Sequence, residues 1–320
     1  MDLNKEALPM KRSVFLLILI GSLFLTGCGA PAAPAVSTQS SETAVTFTDA
    51  LGRSVTVDSP RRVACLIGSF ADIWCLAGGK EQLVAAADDT WTQFDLGLSD
   101  EVVNLGGVKE PNLELLLAAQ PDLVIASSNT GAQVELLDSF EEMGLNVAYF
   151  MVASFDEYLE MLKLCTRITG REKNYQRYGS ELLAQVDAAR AKADGSAPRV
   201  LYVRATGSSC KVKNSRDSVL GEMLADLGCV NIADSGLLEE LSMEVILQED
   251  PDHIFVVLQG SDPSKAEALL EKTLLSNPAW TMLTAVKEGR FHVMDPDLYN
   301  LKPNERWGEA YEKLSDILYE

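Results

Sequence analysis

Residues 111 to 126, PNLELLLAAQPDLVIA, are answered from Ser242 onward by SMEVILQEDPDHIFVV. With Glu114 set against Glu244, the pairs Leu117/Leu247, Pro121/Pro251 and Asp122/Asp252 fall into register at a constant offset of 130 residues. Solenoid units run to about 20 to 50 residues, so a period this long describes two similar lobes and not a stack of small repeats. Each copy reads as a helix running into a buried strand, which makes the surrounding chain the next thing to read.

That chain alternates. VTFT and SVTV flank DALGR, giving a hairpin over residues 45 to 57. RVACLI is then a continuous apolar strand, followed by a helix through Ala77 that stops at Gly78-Gly79 and by the strand LVAAA. PNLELLLAAQ (helix), DLVIAS (strand), AQVELLDSFEEMG (helix) and NVAYF (strand) continue the rhythm. Strands apolar on both faces and interleaved with helices predict a mainly parallel sheet covered on each side. After Ser154 two helical stretches follow without a strand between them, DEYLEMLKLCTRITG and REKNYQRYGSELLAQVDAARAKADG. Tyr175, Tyr178, Leu182, Leu183 and Val186 give the second one apolar stripe. Its roughly 24 residues would reach about 36 Å, enough to cross from lobe to lobe. Alternation then resumes with RVLYVRA, DSVLGEMLADLG, MEVILQED, HIFVVL, PSKAEALLEKT and RFHVM, and a helix from about Asn304 to Tyr319 closes the chain.

The amino terminus reads as targeting. Lys11 and Arg12 precede SVFLLILIGSLFL, an apolar run suited to a signal segment and short for a mature span, with translation starting at Met1 or Met10. It ends in Leu25-Thr26-Gly27-Cys28, which resembles the bacterial lipobox, whose Cys becomes the lipidated first residue. Gly29 to Thr43 is rich in Ala, Pro, Ser, Thr and Gln and reads as a tether that cannot bury enough surface to order itself. The expected layout is a leader over 1–27, a tether over 28–43, lobes over 44–153 and 197–320, and connecting helices over 154–196.

Composition excludes several functions. The 320 residues are 47% apolar and 23% charged, normal for a globular chain, while a formal net charge of -20 without a basic stripe speaks against nucleic acid. Beyond Cys28, five cysteines remain, with no CxxC spacing, so neither a metal nor a redox cluster is expected. Cys65 and Cys75 suit buried free thiols, and a disulfide between Cys210 and Cys229 stays open. Only His253 and His292 occur, both in strands, which suits core imidazoles better than a free-metal site. No GxSxG, P-loop, GxGxxG after the first strand or spaced Cys/His dyad supports an enzyme, although paired α/β lobes also host metal-cofactor chemistry.

From FTDALGRSVTVDSPRRVACL, through NLGGVKEPNLELLLAAQPDLVIAS and its partner in the second lobe, the chain resembles the cluster A, or class III, substrate-binding proteins of ABC importers, whose members take up cobalamin, ferric siderophores and haem. The resemblance implies two Rossmann-like α/β lobes joined by a long rigid helix, with the ligand in the cleft between them. It further implies a monomer with no cofactor and no catalysis, attached to the membrane only through its lipid, and partnered by a permease dimer with ATPase subunits. In that family one surface glutamate per lobe meets arginines of the permease, and Glu114 and Glu244 are the matching positions. Both acids also suit the first turn of a helix, with Asn112 and Ser242 as caps.

Ligand contacts in such a protein come from loops at the carboxyl ends of strands. In the first lobe these are 68–70, with Ser69 and Phe70, 88–91 with Trp91, Lys109-Glu110 and 127–129. In the second they are 204–216, Leu237-Leu238, Gln259-Gly260 and 299–307. Trp91 and Trp307 would stack on a planar ligand, or belong to the core. Arg204, Lys211, Lys213 and Arg216, with Arg306, would pair with an anionic ligand, or line a solvated loop. The basic stretch favours an anionic ferric chelate over cobalamin, and haem would call on Tyr299 or Met294 as an axial ligand.

Overall fold

The computed structural model describes residues 44–216, 218–236, 242–260 and 262–320. The leader, Cys28, the tether, Leu237 and Leu238 lie outside the described residues.

Strands β1 (Ala44–Thr48) and β2 (Ser54–Asp58) pair antiparallel, with Phe47 opposite Val55, as the alternation around DALGR predicts. The first lobe then runs β3 (Val63–Cys65), α1 (Gly68–Leu76), β4 (Leu83–Ala86), α2 (Asp89–Thr92), β5 (Val103–Asn104), α3 (Leu113–Ala118), β6 (Leu123–Ser127), α4 (Gly131–Val134), α5 (Leu137–Glu142) and β7 (Val147–Phe150). Its five strands are parallel in the order β5-β4-β3-β6-β7. The order reverses at β3, and the crevice at its carboxyl end is where open sheets of this kind bind ligands.

One helix expected over 132–144 is instead two. Gln133 is buried, its Oε1 accepts from Ser127 N at 2.8 Å, and its Nε2 donates to the carbonyls of Leu66 at 2.7 Å and Val108 at 2.9 Å. The Tyr149 hydroxyl also donates to the Gln133 carbonyl at 2.7 Å. A residue so tied to the carboxyl end of the sheet fixes the first turn, and the helix restarts after it.

Between the lobes stand α6 (Phe155–Ile168), α7 (Lys173–Tyr175), a π-turn (Gln176–Ser180) and α8 (Glu181–Arg190). A capping box starts α6: Ser154 Oγ accepts from Glu157 N at 3.2 Å, and Glu157 Oε2 accepts from Ser154 N at 3.0 Å. The continuous helical run from Lys173 to Arg190 is shorter than the sequence suggests, reaching about 27 Å. It is widened at Gly179, where an added Cβ would come within 2.8 Å of the Tyr175 ring. Lys192 to Gly195, all exposed, do not extend it.

The second lobe runs β8 (Arg199–Thr206), β9 (Cys210–Lys213), α9 (Val219–Asp226), β10 (Val230–Asn231), α10 (Met243–Glu249), β11 (His253–Gln259), α11 (Pro263–Leu270), α12 (Thr284–Lys287), β12 (Phe291–Met294), α13 (Pro296–Tyr299) and α14 (Trp307–Tyr319). Its parallel order is β10-β8-β11-β12, and β9 folds back antiparallel on β8. The basic stretch 204–216 is thus largely a hairpin and not a solvated loop. Cys210 and Cys229 are free thiols, so the disulfide left open by the sequence is not formed. Asn112 caps α3 by accepting from Leu115 N at 3.0 Å, whereas Ser242 makes no side-chain cap on α10.

One apolar core runs through the hairpin β1–β2, α1, α6, α8, α9 and α14, and so joins both lobes and the connector. At its centre Trp307 is fully buried, with ring centroids of Phe155 at 5.6 Å and of Tyr158 and Tyr311 at 6.2 Å. Hinges need residues that can absorb φ/ψ change, and a packed aromatic cluster offers none.

The interlobe cleft as a candidate ligand site

The carboxyl ends of both sheets converge on a cavity of about 140 Å³, lined by Asn129, Val152 and Ala153 of the first lobe and by Tyr202, Arg204, Ser218, Val219, Tyr299, Asn300 and Lys302 of the second. Ligand pockets typically measure about 300–1,000 Å³, so this cavity would seat part of a molecule and not all of it. A roomier cavity of about 610 Å³ lies at the opposite, amino-terminal ends of the first lobe's strands, among Ala44, Arg61, Trp74 and Arg167, away from the sheet crevices.

The second lobe's wall follows from strand alternation. Tyr202 pairs with Lys213 and Arg204 with Lys211, so these four share one face of the β8–β9 hairpin. The intervening Val203/Val212 and Ala205/Cys210 pairs pack with Leu201, Ile254 and Val256 on the other. Three cations are thereby gathered on one face by register, and of these Arg204 lines the cavity.

On the first lobe's wall, Gly68 N, at the start of α1, donates to Asp89 Oδ1 at 2.8 Å. A Cβ added at Gly68 would sit 2.8 Å from Thr90 N, so glycine is what lets α1 and α2 meet. Burial raises the Asp89 carboxyl to about 6, against the Gly68 hydrogen bond and the charge of Lys302. Lys302 reaches across from the second lobe, its Nζ 5.5 Å from the centroid of the buried Phe70 ring. Burial pushes its ammonium down to about 8, opposed by Asp89 and Glu157. Beside it Asn304, at a φ of 48° that Asn tolerates better than most residues, donates through Nδ2 to Ser69 O at 3.0 Å and Asp72 Oδ2 at 2.7 Å. This clasp links the approach to α14 with α1.

Several sequence expectations need correction. Trp307 is core and presents no face to a ligand, because the entry to α14 turns it into the aromatic cluster. Phe70 and Ser69 are likewise buried, and Phe70 belongs to the apolar core and lies beneath Lys302. Tyr299 lines the cavity, yet its hydroxyl donates to Ala310 O at 3.0 Å, and Met294 is buried, which leaves neither as a free axial ligand. Arg306 pairs with Glu309 at 2.8 Å along α14 and is not a cavity residue. Trp91 stays 41% exposed on α2 after β4, while Lys109 and Arg216 are exposed in the loops after β5 and β9. Lys302 was not singled out by sequence, since a Lys between Leu301 and Pro303 carries no pattern that separates a cleft cation from a surface one.

Among the described residues no group of three or more His, Cys, Asp or Glu is placed to hold an ion. His253 Nδ1 and His292 Nε2 lie 3.3 Å apart on β11 and β12 near the amino end of the sheet, stacked with Phe255. Burial, then His292 and Arg290, lower His253 to about 4. An imidazole that resists protonation in the fold leaves the unfolded chain the better proton acceptor. Its contribution to stability is therefore full above about 6.5 and drains as pH falls toward about 4. Asp72 and Asp89, raised to about 6, act in the opposite sense and add stability over pH 6 to 4. A His253→Gln variant should accordingly gain on the parent by about 1–2 kcal/mol between pH 7 and 5 in urea unfolding. A constant gap would show that His253 does not hold this shift.

Two parallel α/β sheets meeting across a polar cavity, with a helical connector and a shared core, define the class III solute-binding architecture. Residues 63–298 match the family model described as periplasmic binding protein, and the chain belongs to that family. It is 23% identical to the Bacillus subtilis uncharacterized ABC transporter substrate-binding lipoprotein YvrC, over 97% of each chain. It is 25% identical to the iron-uptake system-binding protein of the same organism, over 95% of each. Staphylococcus aureus SirA, solved in complex with staphyloferrin B, shares the fold at a TM-score of 0.63, with 22% identity over 86% of this chain and 97% of that one.

Proposed function

We propose that this protein is the extracytoplasmic receptor of an ABC importer, and that it captures an anionic ferric chelate of the siderophore class in the interlobe cleft and hands it to a permease. The observation that carries the reading is the sorting of Arg204, Lys211 and Lys213 onto one face, with Lys302 lining the same cavity as Arg204, in a chain of formal net charge -20. A saturated chelate needs few protein ligands, only complementary charge and shape. The iron-uptake relative supports the substrate class. Haem fits less well, because the Tyr299 hydroxyl is hydrogen-bonded to Ala310 and Met294 is buried, and cobalamin, with a single phosphodiester and no net negative charge, would leave most of the cationic wall uncompensated.

In this reading Cys28 carries the lipid, residues 28–43 form the leash, and Glu114 and Glu244 present one carboxylate per lobe to the two halves of a permease. Trp91, Lys109 and Arg216 would contribute at the rim of the cleft. The test uses colour: the full chain in detergent, mixed with anionic ferric siderophores, haemin or cobalamin and then desalted, should retain the absorbance of the ferric chelate. Arg204→Ala should weaken that binding by at least about tenfold. Retention of cobalamin or haemin alone, or of no ligand, would overturn the proposal.

A further inference from the structure

Lys302 presents an unusual electrostatic situation. Its side chain is half-buried, lines the interlobe cavity with Arg204, and rests over the Phe70 ring. Among the described residues no carboxylate oxygen forms an ion pair with it within 4.0 Å: Asp89 and Glu157 act on it only at longer range. Among the described residues lining the cavity, Arg204 is the other cation, and Tyr202 and Tyr299 are the other titratable groups. A partly desolvated charge without a contacting partner is costly, and a group that supplies the missing anion recovers that cost.

We propose that Lys302 is the residue by which the cleft selects its ligand's charge, taking an anionic oxygen of the chelate, carboxylate or catecholate, and rejecting neutral and cationic chelates. The inference rests on the reading of the cleft as a chelate site and deepens it. The exposed hairpin cation Lys211 cannot do this work, because solvent and salt screen it within about 8 Å and any chelate leaves it hydrated. Lys302 differs in that a neutral ligand would exclude the remaining water from the cavity and bring nothing to replace it. Discrimination then comes from the penalty imposed on the wrong ligand as much as from attraction to the right one. Phe70 holds the ammonium from below without neutralising it, which leaves its charge directed at the cavity.

The experiment measures dissociation constants of ferric citrate, a ferric tris-catecholate and the cationic hydroxamate complex ferrioxamine, for the full-length wild type, Lys302→Met and Lys302→Arg. The wild type should prefer the anionic chelates by at least about tenfold. Lys302→Met should lose at least about tenfold toward them while gaining or holding toward ferrioxamine, and Lys302→Arg should keep most of the preference. Because Met removes a half-buried charge that has no contacting carboxylate and keeps the volume, its melting temperature should be unchanged or higher, which separates a ligand-reading role from a structural one. An unaltered charge preference in Lys302→Met would overturn this inference alone. Failure of the wild type to bind any of the three would overturn it together with the chelate reading.

Discussion

Trp307→Ala is expected to destabilise the protein by about 3–5 kcal/mol and to split a single urea transition into two. The side chain is fully buried, and its ring neighbours come from both the connector, as Phe155 and Tyr158, and the closing helix, as Tyr311. Truncation would open a cavity where the two lobes share their core, and little of that packing can relax into it. Its indole N–H has no acceptor, so Trp307→Phe removes an unsatisfied donor along with some volume and should cost clearly less. Circular dichroism and tyrosine fluorescence followed through the same urea series would report whether the transitions separate. A loss under about 1 kcal/mol for the alanine variant would mean that the lobes are held by other contacts, such as the Asn304 clasp on α1.

The sequence makes the lobes legible because parallel strands buried on both faces write themselves as unbroken apolar runs, and because the repeat at Glu114 and Glu244 marks corresponding helices. The site is less legible, for reasons that can be named. Arg204, Lys211 and Lys213 read as a basic cluster, but only the β8–β9 register shows that they share a face and that Val203 and Val212 turn away. Trp307 reads as an aromatic in a cleft loop, whereas the helix that begins there rotates it inward, an outcome set by packing against residues more than a hundred positions earlier. Lys302 is the converse: its charge is visible, but its desolvation is a property of two lobes meeting. Gln133, too, looks like a polar residue inside one helix until its amide is found joined to Leu66 and Val108.

Reversal of either lobe's glutamate, Glu114→Lys or Glu244→Lys, is expected to reduce uptake into cells by at least about tenfold while leaving the chelate's dissociation constant within about twofold. Glu114 is the second residue of α3 and Glu244 the second of α10, and both are exposed. Each helix leads into a central strand of its lobe, β6 or β11, so each starts at the carboxyl side of its sheet, where the cavity also lies. Beside Glu114, Leu115 and Leu117 remain 41% and 42% exposed, an apolar flank that a solvated helix turn does not require. A macrodipole role alone would make the reversals cost about 0.3–1 kcal/mol of stability and nothing in transport, so the two accounts separate cleanly. The double reversal should be no better than the worse single one, because a twofold channel engaged through one lobe is not productively docked. Restoring uptake with a permease carrying the opposite reversal, aspartate or glutamate for its facing arginine, would complete the argument. Equal loss of uptake and of ligand affinity would instead place these acids in the binding site and remove them from the docking surface.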